Sequence, residues 1–417
     1  MHGETVVIGA GAAGLAAARA LHDAGQPAIV LEARDRIGGR VQTDHTFGVV
    51  PVERGAEFIH GAHVETWTWL QRAGLHAVPV STWAGRRVAL GGGRLAGPWL
   101  FRVRRDLRNV KAFEERIAAY AGPECSLADW LRGQHVSPLA AQIAFLRLAH
   151  SYCATPDTLS MAALAYEYSI DTDAGGNFRI LEGYDRVLAM IADGLDIRLN
   201  MPVKEVRWGN DGVEVVTSGG AWQARHAVIT LPLAVLQAGA VHFDPALPAA
   251  RQQAIAGLAM RPALKLLLRF DEVFWPRDMT FISADDPVPV WWTVRPGEPL
   301  LTGFATGRYA ERLSVLGEEG AIERGLAALD GMFKGAASRR FVKGAVADWG
   351  RDPWARGGYS SAPPGMHGQR AVLAEPCGAL HWAGEATVTD SNPATVHGAL
   401  RSGERAAQEI LHQLSLS

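Results

Sequence analysis

The stretch TVVIGAGAAGLAAARALHDAGQPAIVLEAR, residues 5–34, predicts the fold of the chain. It opens with a short apolar run, which is typical of a buried parallel strand. Gly9, Gly11 and Gly14 follow with the spacing G-x-G-x-x-G, which permits a tight turn, a close approach of a pyrophosphate and close packing of the next helix. Glu32 lies 18 residues after Gly14, near the spacing of a carboxylate that accepts hydrogen bonds from a ribose. The stretch therefore predicts a Rossmann-like site for an adenine dinucleotide, which could be NAD or FAD.

The composition of the 417-residue chain argues against several classes of protein. Its 41 basic and 43 acidic residues nearly balance, so charge gives no reason to expect a nucleic-acid or membrane partner. Cys125, Cys153 and Cys377 show no C-x-x-C spacing, so we expect neither a disulfide framework nor a metal site. No stretch reads as a signal peptide or a membrane span. We therefore expect a soluble cytoplasmic protein of two or three domains.

A second glycine turn follows the first motif. Gly38, Gly39 and Arg40 combine a backbone nest with a guanidinium group, which suits the other face of a pyrophosphate. On their own these residues would equally suit a surface turn. Their position just after Glu32 favours FAD over NAD.

Lys265 stands in the middle of an apolar strand pattern, ALKLLLRF at residues 263–270. An unpaired buried ammonium group costs several kcal/mol, so such a lysine is unusual. It could be buried for a functional reason, or it could lie on an edge strand and face solvent. The residues alone leave these two interpretations open.

The last helix is expected to start just after Asn392. An asparagine can cap a helix, and Pro393 suits the first helical position, so open N–H groups are expected at residues 394–396. Such a helix end can stabilise negative charge. Gly398 and Gly403 are costly inside a helix, which predicts the close approach of another backbone or of a ring.

Further motifs are spread along the chain: GAEFIHG (55–61), ALKLLLRF followed by FWP (263–270 and 274–276), DWGRDPWARGGY (348–359), LHWAGEA (380–386) and PATVHGAL (393–400). Together they resemble, over essentially the whole chain, the flavin-containing amine oxidase family, which includes monoamine oxidases, polyamine oxidases and histone lysine demethylases. Phe58 departs from the family pattern, which has tryptophan at this position. The final motif resembles polyamine oxidases and histone demethylases more than monoamine oxidases, and the chain as a whole is most similar to polyamine oxidases of the bacterial type.

The resemblance implies roles for four side chains in catalysis and substrate binding. Lys265 would be catalytic, holding a water against the flavin N5 and favouring electron transfer to dioxygen, because the developing superoxide is anionic. Tyr359 would form one wall of the cage that aligns the amine, and His60 would face the substrate. Thr395 stands where monoamine oxidases have the second cage tyrosine. The cage would therefore be half open, and Thr395 would contact the substrate in place of that tyrosine.

The resemblance also implies that FAD binds without a covalent link, since Gly358 stands where monoamine oxidases have a flavin-linked cysteine. The residues expected to contact FAD are Gly9, Gly11, Ala13, Gly14, Glu32, Ala33, Arg34, Gly38, Gly39, Arg40, Gly55, Ala56, Glu57, Phe58, Val203, Trp349, Trp354, Tyr359, Gly384, Glu385, Thr395, Val396 and Ala399.

These observations predict an α/β protein of two domains with the amine oxidase fold. A Rossmann-like FAD-binding domain is expected from residues 1–80, 196–237 and 340–417. A substrate-binding domain, with a mixed sheet flanked by helices, is expected from residues 81–195 and 238–339.

The expected activity is the FAD-dependent oxidation of a polyamine such as spermine or spermidine. The imine formed would hydrolyse to an aldehyde and an amine, and O2 would be reduced to H2O2. We expect a small-molecule amine and O2 as partners, and a monomer or homodimer. The alternatives are an L-amino-acid or monoamine oxidase of the same superfamily, or a non-catalytic flavin-binding or redox-sensing protein. An amino-acid oxidase would need an arginine that clamps the carboxylate, and the motifs identify none.

Overall fold

The computed structural model describes residues 2–81, 85–90, 93–97, 101–134, 136–170, 176–209, 211–284 and 287–416. In chain order the strands are β1 His2–Ile8, β2 Ile29–Leu31, β3 Thr43–Asp44, β4 Val52–Glu53, β5 Phe58–His60, β6 Ala77–Val80, β7 Arg86–Leu90, β8 Arg94–Ala96, β9 Asn177–Ile180, β10 Asp196–Arg198, β11 Val203–Trp208, β12 Val213–Thr217, β13 Gly220–Ile229, β14 His242–Asp244, β15 Ala259–Met260, β16 Ala263–Phe270, β17 Phe281–Ser283, β18 Val290–Thr293, β19 Leu300–Thr306, β20 Phe341–Asp348, β21 Ser360–Ser361 and β22 Leu380–Trp382. The helices are α1 Ala12–Asp23, α2 Thr66–Arg72, α3 Phe101–Ala118, α4 Leu127–Arg132, α5 Pro138–Ala144, α6 Met161–Ser169, α7 Asp185–Ala192, α8 Leu233–Gln237, α9 Ala249–Gly257, α10 Arg308–Ser314, α11 Gly317–Phe333, α12 Ala336–Arg340, α13 Gln369–Ala374 and α14 Val396–Leu416.

The first sheet carries the glycine motif at the end of its central strand. Its order is β10-β2-β1-β13-β12-β11-β14, and β22 pairs with the second half of β13. The strands from β10 to β13 run parallel, as does β22, whereas β12 pairs with the first half of β13 in the antiparallel sense. A parallel sheet with crossover helices is the Rossmann-like arrangement that the opening stretch predicts, and the α/β fold class is confirmed.

Two helices cover one face of this sheet at very short range. A methyl group on Gly403 of α14 would lie 2.1 Å from the carbonyl oxygen of Ala13 in α1. Small residues therefore let the two helices pack backbone to backbone, and their neighbours Leu15 and Leu400 are fully buried. The close approach predicted from Gly403 is confirmed.

The second sheet has the order β20-β16-β19-β18-β17-β7-β8. Strand β16 lies inside it, paired antiparallel with both β19 and β20. The leucines at 264, 266 and 268 point to one face, where α10 and α11 help to cover them. Because side chains alternate along a strand, Lys265 points to the opposite face, towards the small sheet β5-β9-β6.

Strand pairing crosses the domain boundaries that the sequence predicts. Strand β20, in the segment 340–417, pairs with β16 in the second sheet. Strand β14, in the segment 238–339, pairs with β11 in the first sheet. The division into FAD-binding and substrate-binding segments stays a prediction, and these pairings favour boundaries several residues further along the chain.

The helix contact at Gly403 predicts a large effect of one methyl group. Gly403→Ala should lower the free energy of unfolding by about 1–3 kcal/mol, because the added methyl group can be accommodated only if α1 and α14 move apart. Denaturant unfolding of the purified variants measures this. The matched control is Gly331→Ala in α11, where the added methyl group meets no atom within 4 Å. That change should be neutral or stabilising by up to about 1 kcal/mol, and equal effects at the two sites would contradict the helix-packing explanation.

Candidate active site

The turn between β1 and α1 forms an open cradle. Gly9 has a φ of +107°, and a methyl group on Gly14 would lie 1.9 Å from the carbonyl oxygen of Gly9, so both positions require glycine. Gly11 precedes α1 without a side chain to cap it, and a methyl group on Gly11 would meet nothing within 4 Å. The first N–H groups of α1 have no acceptor within the helix, and the space in front of them is open.

The second glycine turn lies directly against this cradle. The Gly38 N–H donates to the carbonyl of Ala10 at 2.8 Å, and a methyl group on Gly39 would lie 3.4 Å from the Cα of Gly11. Both glycines have positive φ, +99° and +57°. Arg36, which the sequence analysis did not single out, donates to the carbonyls of Ile37 and Gly39 and holds the turn in shape.

Glu32 closes the other side of the cradle. Its carboxylate is buried and accepts hydrogen bonds from the N–H groups of Ala10 at 2.7 Å and Arg34 at 2.9 Å. The carbonyl oxygens of Glu32 and Arg34 accept hydrogen bonds from the N–H groups of Met201 and Asn200. These bonds hold the start of β11, which carries Val203, next to Glu32. The side chain of Arg34 forms two hydrogen bonds of 2.6 and 2.7 Å with the carboxylate of Asp352.

Arg40 and Glu385 form an ion pair at the far end of the cradle. Arg40 Nη1 donates to Glu385 at 2.8 Å and to the carbonyl of Gly358 at 2.7 Å, and Ser360 donates its hydroxyl to the same carboxylate at 2.6 Å. Burial raises the pKa of Glu385, but the charges of Arg40 and Arg370 outweigh it and the net pKa is lowered. Arg40 thus orders the segments that the resemblance assigns to the flavin.

These residues fit an extended dinucleotide. Gly11 and Gly384 both face open space, which a side chain at either position would fill. The turn at residues 38–40 lies between these two glycines, because it contacts Ala10 at one end and Glu385 at the other. The open N–H groups and the guanidinium supply the donors that a pyrophosphate requires. The individual contacts of these residues with FAD stay predictions.

Lys265 is buried and paired, so the interpretation as a solvent-facing edge residue is wrong. Its side chain is 6% exposed, and Nζ donates to Glu57 Oε2 at 2.8 Å and to the carbonyl oxygen of Glu53 at 3.0 Å. The ammonium group also lies 5.2 Å from the ring centre of Trp292. The strand that carries it is inside the sheet, and a partner carboxylate offsets part of the cost of burial that made the residue unusual.

The partner Glu57 is the centre of a buried polar cluster. Arg179 donates to Glu57 Oε1 through Nε at 3.0 Å and Nη2 at 2.8 Å, and Trp292 Nε1 donates to the same oxygen at 2.9 Å. Burial raises the pKa of Glu57, but Lys265 and Arg179 outweigh it and hold the pKa below its usual range. The sequence analysis did not single out Arg179, and no local motif could have revealed a contact between residues 122 positions apart.

Glu53 is a second buried carboxyl group beside Lys265. It accepts hydrogen bonds from the Tyr184 N–H at 2.7 Å and the Thr43 hydroxyl at 2.8 Å. Burial nevertheless raises its pKa to about 8, and the negative charge of Glu57 adds to the shift. At neutral pH Glu53 is therefore mainly protonated.

The motif at 348–359 wraps around this region. Trp349 donates its indole N–H to the carbonyl of Arg54 at 2.9 Å, and a methyl group on Gly55 would lie 1.8 Å from the carbonyl oxygen of Arg40. Tyr359 donates its hydroxyl to the carbonyl of Ser151 at 2.7 Å. Trp354 is 38% exposed, so the structure places it at the surface of the loop.

His60, Phe58 and Asn177 lie together on the small sheet. His60 Nδ1 is 2.6 Å from Asn177 Oδ1, and Phe58 packs its ring 5.6 Å from that of Trp292, which links it to the Lys265 cluster. His397 on α14 lies close enough to His60 to sense its charge, and burial, together with His60 and Arg401, lowers the pKa of His397 to about 3. The structure thus brings His60 and the start of α14 to one region.

The start of α14 differs from the prediction. Thr395, not Asn392, caps the helix: its hydroxyl accepts from the Gly398 N–H at 3.0 Å and donates to the Asn392 carbonyl at 2.7 Å. The helix begins at Val396, because Ala394 adopts a left-handed φ of +62° and cannot belong to it. Val396 and Ala399 nevertheless lie in the first turn, as a helix end near the flavin would require.

The raised pKa of Glu53 predicts a pH dependence of stability. Because its folded pKa lies above the ordinary value of 4.5, its contribution is fully present below about pH 4.5 and is lost as the pH rises through about 8. The loss should amount to at most about 1.4 kcal/mol per pH unit. Glu53→Gln mimics the protonated form, so its melting temperature should fall less than that of the wild type between pH 6 and 9. Glu214→Gln, at an ion pair on β12, is the control, and parallel curves for Glu53→Gln and wild type would contradict the assignment.

The chain is similar to known enzymes over nearly its full length. The sequence profile of the family described as flavin-containing amine oxidoreductase matches residues 12–411. Polyamine oxidase 4 of Oryza sativa subsp. japonica is 31% identical over 97% of this chain and 88% of its own length. Human lysine-specific histone demethylase 2 is 29% identical over 97% of this chain and 53% of its own length.

A solved structure shows the same fold. Cyclohexylamine oxidase from Brevibacterium oxydans IH-35A superposes with a TM-score of 0.85, at 27% identity and with 99% of each chain covered. Within the described residues, no helix is both long and apolar enough to span a membrane. From the family profile, the curated relatives and the fold together, the chain belongs to the flavin-containing amine oxidoreductase family.

Proposed function

We propose that the protein binds FAD non-covalently and oxidises a polyamine such as spermine or spermidine. The observation that carries this proposal is the contact of Lys265 with the GAEFIHG segment, which joins two motifs 208 residues apart at 2.8 Å. This contact supports the role that the resemblance implies for the lysine, because it joins Lys265 to another motif of the family pattern. In the proposed reaction the CH–NH unit of the amine loses two electrons and two protons, one from carbon and one from nitrogen, and becomes an imine. O2 takes up two electrons and two protons and becomes H2O2, and water splits the imine into an aldehyde and an amine.

Bound flavin would be the two-electron acceptor. The side chains would bind the amine, accept its proton and stabilise the charge that develops. The hydrogen bond from Tyr359 to the Ser151 carbonyl fixes the orientation of the tyrosine ring. One face of the ring can then contact an amine. His60, hydrogen-bonded to Asn177 and exposed, can take the proton that a substrate ammonium must lose. The Lys265 ammonium stabilises the negative charge that develops on reduced oxygen.

Non-covalent binding is supported by the state of the thiol beside Gly358. A methyl group on Gly358 would lie 3.2 Å from Cys153 Sγ, so this thiol is the nearest substitute for a flavin-linked cysteine. Cys153 is buried, and its S–H group donates a hydrogen bond to the carbonyl of Arg261 at 3.2 Å. Burial raises its pKa to about 12, which keeps the thiol protonated and unreactive.

The preference for polyamines is supported by the names of the relatives and by Thr395 in place of a second cage tyrosine. Four acids in the segment 167–182 could attract the distal ammonium groups of a polyamine, and none is singled out by the sequence. Glu182 lies 2.8 Å from His76, and Glu167 lies 3.6 Å from Arg370, while Asp171 and Asp173 are outside the described residues. The cytoplasmic location and the monomeric or homodimeric state stay predictions of the sequence.

A panel of amines tests the proposed reaction. Spermine or spermidine should bleach the yellow protein without oxygen and yield stoichiometric peroxide with it, and mass spectrometry of the aldehyde identifies the carbon attacked. Monoamines and L-amino acids are the comparison substrates. A flavin that every amine leaves oxidised would contradict the proposal.

Lys265→Met tests the oxygen step separately. Methionine is nearly isosteric but carries no charge, so flavin reoxidation should slow by about tenfold or more while FAD content changes little. Stopped-flow mixing of the reduced protein with O2 measures the rate. An unchanged rate would remove Lys265 from the reaction.

Precipitation with acid tests the mode of flavin binding. The flavin should remain in the supernatant, because the Cys153 thiol beside Gly358 stays protonated and unreactive. Flavin that stays with the pellet would contradict non-covalent binding.

A further inference from the structure

The Glu57 cluster contains two cations for one carboxylate. Lys265 and Arg179 each bond to Glu57 at 2.8 Å, and the side chains of all three are at most 8% exposed. With Glu53 protonated at neutral pH, the two cations and the one anion leave a net charge of +1. Buried charges are poorly screened, so any group bound beside the cluster experiences this excess.

Glu57 also fixes where the excess charge lies. Its three donors come from three elements: Arg179 from β9, Lys265 from β16 and Trp292 from β18. All four hydrogen bonds to its carboxylate lie between 2.8 and 3.0 Å. A lysine side chain has many rotamers, and this arrangement leaves the Lys265 ammonium one position, between Glu57 Oε2 and the carbonyl of Glu53.

We propose that Glu57 is a positioning residue for Lys265: its carboxylate holds the ammonium group in place and limits the excess positive charge next to the flavin ring to one. Lys265 and Arg179 without Glu57 would place two cations there. The reactivity of the flavin towards anions is then set by Glu57 as much as by Lys265. This inference rests on the proposed function only in taking flavin as the bound group.

The charge of the cluster can be read without turnover through the affinity of the oxidised flavoprotein for sulfite. Sulfite adds to flavin and leaves a negative charge on the ring, so nearby positive charge tightens its binding. Glu57→Gln leaves a net charge of +2 and should tighten the sulfite dissociation constant by roughly tenfold or more. Arg179→Gln leaves Lys265 and Glu57, a net charge of zero, and should weaken it by a similar factor.

The double variant Glu57→Gln/Arg179→Gln restores the net charge of +1 and should return the sulfite dissociation constant to within about threefold of the wild type. A purely structural role predicts the opposite, because the double variant loses more hydrogen bonds than either single one. Asp106→Asn is the matched control, since Asp106 is fully buried and accepts from Ser137 and Arg105 in the helical region. Its sulfite affinity should equal that of the wild type.

Positioning is tested by Glu57→Asp, which keeps the charge but shortens the side chain by one methylene. Its sulfite affinity should stay within about threefold of the wild type, while reoxidation by O2 slows several-fold because the ammonium is displaced. In the Lys265→Met background the same change should have no effect on reoxidation.

The sulfite titration and the reoxidation rates of the Glu57 variants can be interpreted independently of the amine panel. Unchanged sulfite affinity in Glu57→Gln, or in Arg179→Gln if the former does not retain flavin, overturns the charge assignment. Equal slowing by Glu57→Asp with and without Lys265 overturns the positioning assignment. Because sulfite reacts whether or not an amine is a substrate, failure of the polyamine proposal would leave the titration readable.

Discussion

The pairing of one buried carboxylate with two buried cations is the constraint on which the reactive end of this protein depends. Removing a charged group from water costs several kcal/mol, and an ion pair recovers this cost only with good geometry and further hydrogen bonds. Glu57 meets both conditions, because its two oxygens accept four hydrogen bonds from three residues. The seven-stranded sheet and the small β5-β9-β6 sheet must therefore dock in one relative position. The same bonds that satisfy the charges also align the two halves of the site.

The dinucleotide end depends on the opposite kind of contact. There the backbone itself approaches, at Gly14 against Gly9 and at Gly403 against Ala13, and no side chain could be accommodated. Backbone contacts leave polar groups open for a ligand, whereas the ion-paired end has its donors and acceptors mutually occupied. The protein thus has unsatisfied N–H groups at its glycine turns and, at the other end, a fixed charge cluster with two cations on one carboxylate.

The sequence predicted those features that depend on short segments. The glycine spacing predicted the β1–α1 turn correctly because each glycine acts on neighbours within a few residues. It could not settle the environment of Lys265, since that depends on a carboxylate 208 positions away. The cap of α14 was assigned wrongly because Asn392 and Thr395 are both good caps, and the left-handed turn at Ala394 decides between them. Arg179 carried no signal at all, since an arginine on a short strand is ordinary until its partner is known.

The pairing of β1 with β13 has a consequence for how the chain is made. Val6 lies beside Ala227, and α1 packs on a helix that begins at Val396, so β1 and α1 are completed by segments that are synthesised much later. Until β13 is made, β1 has an unpaired apolar edge, which is a template for association with other chains. Long-range closure of this kind is slow, because the entropy of the intervening chain is lost before any contact compensates it. The nucleotide fingerprint is thus a local signal in sequence but a late structure in biosynthesis, since the edge of β1 stays uncovered until β13 has been synthesised.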